Sequence, residues 1–119
     1  MKKEAILKES DIAAYLTRRV LEEGGMYRKV SWEGRSDAPD YLIMLNGVCV
    51  FVETKAPGRK PRLSQMREFA ALEAHGTGAV MVVSTCAEAD MLLDGLTGQI
   101  ERDVVIDALT YTRFSKEEL

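Results

Sequence analysis

Asn46-Gly47 is the dipeptide that best satisfies the positive φ angles of a type I′ hairpin turn, and here it joins two apolar runs, Tyr41–Leu45 and Val48–Val52. Such a turn fixes strand register as well as direction. Leu45 must face Val48, and counting outward from that pair sets Asp40 opposite Glu53. Facing side chains in an antiparallel pair have Cβ atoms about 4.5–5.5 Å apart, so two carboxylates there repel unless a counter-charge lies between them. A divalent cation would supply it. Lys55 follows Glu53 by two residues, and strand alternation places it on the Glu53 face, about 6.6–6.8 Å further along. Asp40, Glu53 and Lys55 are therefore expected to converge on one side of a sheet, at the open end of the hairpin.

Periodicity supplies the elements around this hairpin. Ile12, Leu16 and Val20 recur every four residues between Ser10 and Glu23, with Ala13 beside them, which describes an amphipathic helix closed by Gly24-Gly25. Ser10 is the expected N-cap, with a start near Lys3 as the alternative. A helix that includes Glu9 puts this acid on the stripe of Ile12, Leu16 and Val20, facing the core. Tyr27–Trp32 reads as a short strand, followed by the polar turn Glu33–Pro39. Beyond Ala56-Pro57-Gly58, Ser64–His75 reads as a second helix stopped by Gly76, with Phe69 and Leu72 on one side and Met66 and Ala70 on another. Gln65 shares the Phe69 stripe, which suits a partly buried hydrogen-bonding residue, and His75 suits a helix C-terminus. Ala79–Ser84 is an apolar run fit for a buried strand, and Ala87–Leu96 is a third helix. The order α-β-β-β-α-β-α describes a single-domain α/β fold whose mixed sheet has a central antiparallel hairpin flanked by helices. Residues 1–98 make up that domain; residues 99–119 show no dominant period and form a tail belonging to the same domain or to a dimer interface.

Composition narrows the function classes. At 119 residues, with 46% hydrophobic and 29% charged residues, the chain suits one folded domain rather than a disordered or fibrous protein. No run approaches the roughly 18 apolar residues of a membrane span, and Met1-Lys2-Lys3-Glu4 lacks a signal-peptide core, so a cytoplasmic protein without a membrane partner is expected. Cys49, Cys86 and a single His75 lack zinc-ligand spacing, and the thiols read as reduced. A net charge of −3 excludes a protein that coats nucleic acid indiscriminately, yet Lys55, Arg59, Lys60, Arg62 and Arg67 form a basic stretch free of acidic residues.

Pro39-Asp40 at one strand start and Glu53-Thr54-Lys55 at the end of the next resemble the PD-(D/E)xK nuclease superfamily, whose fold is the restriction-endonuclease-like one. Within it the chain resembles the VRR-NUC (virus-type replication-repair nuclease) family. The likeness covers roughly residues 9–95, through Glu9-Ser-Asp-Ile, Gly24-Gly25, Gly34-Arg35, Ala38-Pro39-Asp40, Val52-Glu-Thr-Lys-Ala-Pro-Gly58 and Gln65. The resemblance implies that Asp40, Glu53 and the Thr54 carbonyl bind a metal, that Lys55 assists the attacking water, and that Glu9 contributes an N-terminal acid. Gln65 matches the family's glutamine in the helix after the motif. Asp37 departs from the pattern, standing where many members have glycine.

The expected activity is metal-dependent hydrolysis of DNA phosphodiester bonds, with Mg²⁺ as cofactor and Mn²⁺ as substitute, because hard cations take oxygen ligands and need only one or two carboxylates. Glu9 has three open roles: direct ligand, ligand to a water in the cation's shell, and structural acid; the second is preferred. Arg59, Lys60 and Arg62, with Lys29 and Arg35, are the candidate DNA-backbone contacts. The resemblance further implies branched, Holliday-junction-like substrates and a homodimer, since paired nicks across a two-fold junction need two active sites. The alternatives are a non-catalytic module that recognises DNA structure and a purely structural domain.

Overall fold

The computed structural model describes residues 7–115. Their order is α1 (Glu9–Glu22), β1 (Met26–Lys29), β2 (Tyr41–Leu45), β3 (Val48–Thr54), α2 (Leu63–Leu72), β4 (Met81–Val83), α3 (Cys86–Leu96), α4 (Arg102–Leu109) and α5 (Thr112–Ser115). The strands form one mixed sheet in the order β1-β2-β3-β4, antiparallel except for the parallel β3–β4 pair. The expected α/β architecture is thus observed, with two short helices, α4 and α5, added after α3.

The hairpin follows its turn. Asn46 and Gly47 adopt φ of 55° and 77°, and Leu45 pairs with Val48 and Tyr41 with Val52, the register read from the sequence. Tyr41, Ile43 and Leu45 share a face with Val48, Val50 and Val52. That face packs with Ile12, Leu16 and Val20 of α1 and with Ala89, Leu92, Leu93 and Leu96 of α3 into the larger core. Phe51, Val80 and Val82 lie on the opposite face and pack with Met66 and Phe69 of α2 and with Tyr111. Two apolar layers thus sandwich the sheet and hold the open end of the hairpin between α1 and α2.

Several boundaries differ from the sequence reading. Helix α1 is capped at Lys8, whose N–H donates to Asp11 Oδ2 at 2.7 Å, so Ser10 lies inside the first turn; the alternative start near Lys3 lies outside the described residues. Strand β1 stops at Lys29, and Trp32 and Arg35 instead bridge to each other across a tight turn. Helix α2 ends at Leu72 and widens into a π-type turn over Glu73–Thr77, where Gly76 takes a φ of 110°. Residues 99–115 join the packing, with Val105 and Leu109 in the larger core and Tyr111 in the smaller one. Val105 comes so close to α3 that a Cβ on Gly95 would sit 2.7 Å from its Cγ2.

Candidate active site

β3 runs two residues past the end of its pairing with β2 and carries Glu53 and Thr54 to the open end of the hairpin; Lys55 follows. Glu53 is 1% exposed, an unusual place for a carboxylate, and both of its oxygens have partners. Oε1 accepts the Asp40 N–H at 3.2 Å, and Oε2 accepts Gln65 Nε2–H at 2.8 Å and faces Lys55 Nζ at 3.2 Å. Gln65 also accepts the Arg62 N–H through Oε1 at 2.9 Å, so one amide caps α2 and grips Glu53. Burial, then the negative charge of Asp40, pushes the Glu53 carboxyl up to about 7, against the opposing pull of Lys55 and Gln65.

Asp40 stands at the same level but turns differently. Its Oδ2 accepts the Thr54 N–H at 3.0 Å and the Thr54 hydroxyl at 2.7 Å, and it lines a cleft of about 430 Å³ between α1 and the sheet together with Glu9, Lys29, Tyr41 and Thr54. Glu53 and Lys55 instead lie towards α2. The two acids are therefore held at one level of the hairpin end by crossed hydrogen bonds, Glu53 accepting from the Asp40 backbone and Asp40 from Thr54. Asp40 precedes the first β2 residue, so strand alternation does not dictate its direction. The N–H and C=O of a strand residue point to the same side, so the Thr54 carbonyl opens towards Asp40 as its N–H does.

Glu9 is exposed rather than core-facing. It occupies the first turn of α1, ahead of the layer formed by Ile12, Leu16 and Val20, and overhangs the Asp40 cleft. The Tyr41 phenol is pushed up by burial, then by Asp40, Tyr27 and Glu9, which sets the Glu9 charge in the field of the same cleft. Among the described residues no group of three or more His, Cys, Asp or Glu side chains converges as a ready metal cage. What the site does offer is an oxygen-only set, the Asp40 and Glu53 carboxylates and the Thr54 carbonyl, and this donor chemistry fits a hard divalent cation that keeps several waters.

The basic residues lie on several surfaces. Arg35 and Arg62 are each 68% exposed at the side chain yet paired, Arg35 Nη2 to Glu68 Oε1 at 2.8 Å and Arg62 Nη2 to Asp37 Oδ1 at 3.2 Å. Arg59 and Lys60 are exposed and line a groove with Ser84, Glu88 and Arg113, while Lys29 stands at the Asp40 cleft. An apolar cavity of about 130 Å³ between β3, α3 and α4 has no acidic residue in its lining. Trp32 and Glu68 are the members of this neighbourhood that sequence reasoning missed. Asp37, the departure noted above, adopts a φ of 73°, the left-handed conformation glycine would take without strain.

No protein-family model matches the chain. A curated protein named "Putative nuclease p44", from Acyrthosiphon pisum secondary endosymbiont phage 1, is 40% identical over 80 residues, which span 66% of this chain and 86% of that protein. A solved structure described as "VRR_NUC domain" is 38% identical with a TM-score of 0.65, over 72% of this chain and 94% of its own.

Proposed function

The chain belongs to the VRR-NUC family of nucleases, and from that premise we propose that it hydrolyses DNA phosphodiester bonds with a divalent cation held by Asp40, Glu53 and the Thr54 carbonyl. One observation carries this reading: two acids at one level of a hairpin end, with Lys55 Nζ 3.2 Å from Glu53 and Gln65 fixing the same carboxylate. Mg²⁺ is the cation proposed, with Mn²⁺ able to replace it; when bound it neutralises charge building on the phosphate and lowers the pKa of a water.

The residues around it have separable tasks. Lys55, anchored by Glu53, offers its remaining ammonium protons to the attacking water and orients it towards the phosphorus. Gln65 holds Glu53 in place, and Glu9 overhangs the cleft from the α1 side, where it would help hold a hydrated cation through water. Arg59, Lys60 and Arg62, with Lys29 and Arg35, contact flanking phosphates and set the strand's path without reading its bases. Branched DNA is the proposed substrate and a symmetric dimer the proposed assembly, because two coordinated cuts need two such sites.

The test compares cleavage of labelled junction, flap, duplex and single-stranded DNA with Mg²⁺, Mn²⁺ or EDTA, using the wild-type chain, Asp40→Asn, Glu53→Ala and Lys55→Ala. Cation-dependent cutting by the wild type alone, strongest on branched DNA, is the expected result. Retardation of DNA without fragments in every condition points instead to a non-catalytic binding module, and cleavage by all three variants refutes the residue assignment.

A further inference from the structure

Glu68 is a buried carboxylate that the proposed chemistry does not use. It lies three residues after Gln65 on α2, and each of its oxygens has its own partner: Trp32 Nε1–H donates to Oε2 at 2.7 Å and Arg35 Nη2–H to Oε1 at 2.8 Å. Both partners belong to the segment between β1 and β2, which the Trp32–Arg35 bridge folds into a tight turn. A second tie runs with reversed charge, since Asp37 Oδ1 of this segment accepts from Arg62 Nη2 at 3.2 Å and Ser64 Oγ at 3.3 Å at the start of α2. The Trp32 ring also meets Phe51 edge-on at 6.2 Å, two residues before Glu53 on β3.

A buried acid is costly unless its partners are good, and both partners here come from the stretch that delivers Asp40. Between Asp37 and Asp40 lie only Ala38 and a buried Pro39, so a shift of the tied segment passes to Asp40 with little slack to absorb it. Mg²⁺ tolerates small errors in ligand placement poorly. We propose that Glu68 is a positioning residue for Asp40: α2 acts as a common gauge for both acids, setting Glu53 through Gln65 and the approach to Asp40 through Trp32 and Arg35. The proposal rests on the reading of Asp40 as a cation ligand.

Trp32 is the chain's single tryptophan, so its fluorescence reports the state of this tie directly. The experiment measures Mn²⁺ binding by calorimetry without DNA and urea unfolding for the full-length wild type, Glu68→Ala, Glu68→Gln and Trp32→Phe, and Trp32 emission in EDTA for the three proteins that keep the tryptophan. Glu68→Ala is expected to red-shift the emission and to weaken Mn²⁺ binding about tenfold, the lower end of what lost outer-layer support costs a metal site. Glu68→Gln keeps an acceptor for the indole N–H and should recover part of that loss. Trp32→Phe should weaken Mn²⁺ binding too, and adding it to Glu68→Ala should cost little more, because both break one tie. A folded Glu68→Ala protein whose Mn²⁺ affinity stays within about twofold of wild type overturns the positioning role. Should that variant not fold, Trp32→Phe decides on the same criterion. A wild type that takes up no Mn²⁺ overturns the proposed function itself, and this role with it.

Discussion

Raising the pH from about 5 to 8 should destabilise the metal-free protein, the reverse of what most carboxylates do. Glu53 has its carboxyl pushed from the ordinary 4.5 up to about 7, first by burial and then by Asp40. Between those values the folded state holds a proton that the unfolded chain has released, so stability falls as pH rises through that window and levels off above about 7. With 1.36 kcal/mol per pKa unit, the loss is on the order of 3 kcal/mol. The group is 1% exposed, which leaves little solvent to soften the effect. In a domain of this size such a loss lowers Tm by roughly 10 °C. Urea unfolding in EDTA at a series of pH values measures it, with Glu53→Gln as the reference in which the slope should vanish. Adding Mg²⁺ or Mn²⁺ to the wild type should flatten the slope, because a cation beside Glu53 favours its ionised form. A wild-type slope equal to that of Glu53→Gln, or of the opposite sign, refutes the reasoning.

Further outcomes follow from the packing. Glu88 behaves oppositely to Glu53: burial disfavours its charge, but hydrogen bonds from Arg113 and Ser84 win and hold its carboxyl below the usual range, so its contribution is present above the unfolded value and lost as pH falls below it. Arg113→Ala also frees the Val82 and Ala108 carbonyls, and it should cost about 1–3 kcal/mol in urea unfolding at neutral pH, discounted for partial exposure. Gly95→Ala drives a methyl into Val105 and should cost about 1–3 kcal/mol, with Val105→Ala in the same chain restoring part of it. Asp37→Gly should be near neutral by the same assay, because the relief of about 1 kcal/mol from a left-handed φ offsets the lost tie to Arg62 and Ser64, whereas Asp37→Ala should lose on both counts.

What the sequence made legible was whatever a short-range rule could carry. The Asn46-Gly47 turn transmits its register outward one residue pair at a time, and it does so as far as Tyr41 and Val52 because every residue between is in strand geometry. One step further the rule still sets the level of Asp40 but no longer its direction, because that residue lies in a bend and its carboxylate goes to Thr54. Glu9 fails for a related reason: helical spacing gives the azimuth of a side chain, but whether anything covers that azimuth depends on where the sheet ends. Glu68 has no local signal at all. On its own helix it reads as a solvated acid, and it is buried only because Trp32, 36 residues earlier in the chain, returns to meet it. Residues 102–115 are equally opaque, since buried Val105 packs against α3 where Gly95 has no Cβ, a contact between elements that no local pattern announces. The site's acids are thus readable from hairpin chemistry, while the ties proposed to position Asp40 are long-range. Substitutions at Glu68 or Trp32 should accordingly weaken cation binding while leaving the turn, the register and every short-range motif intact.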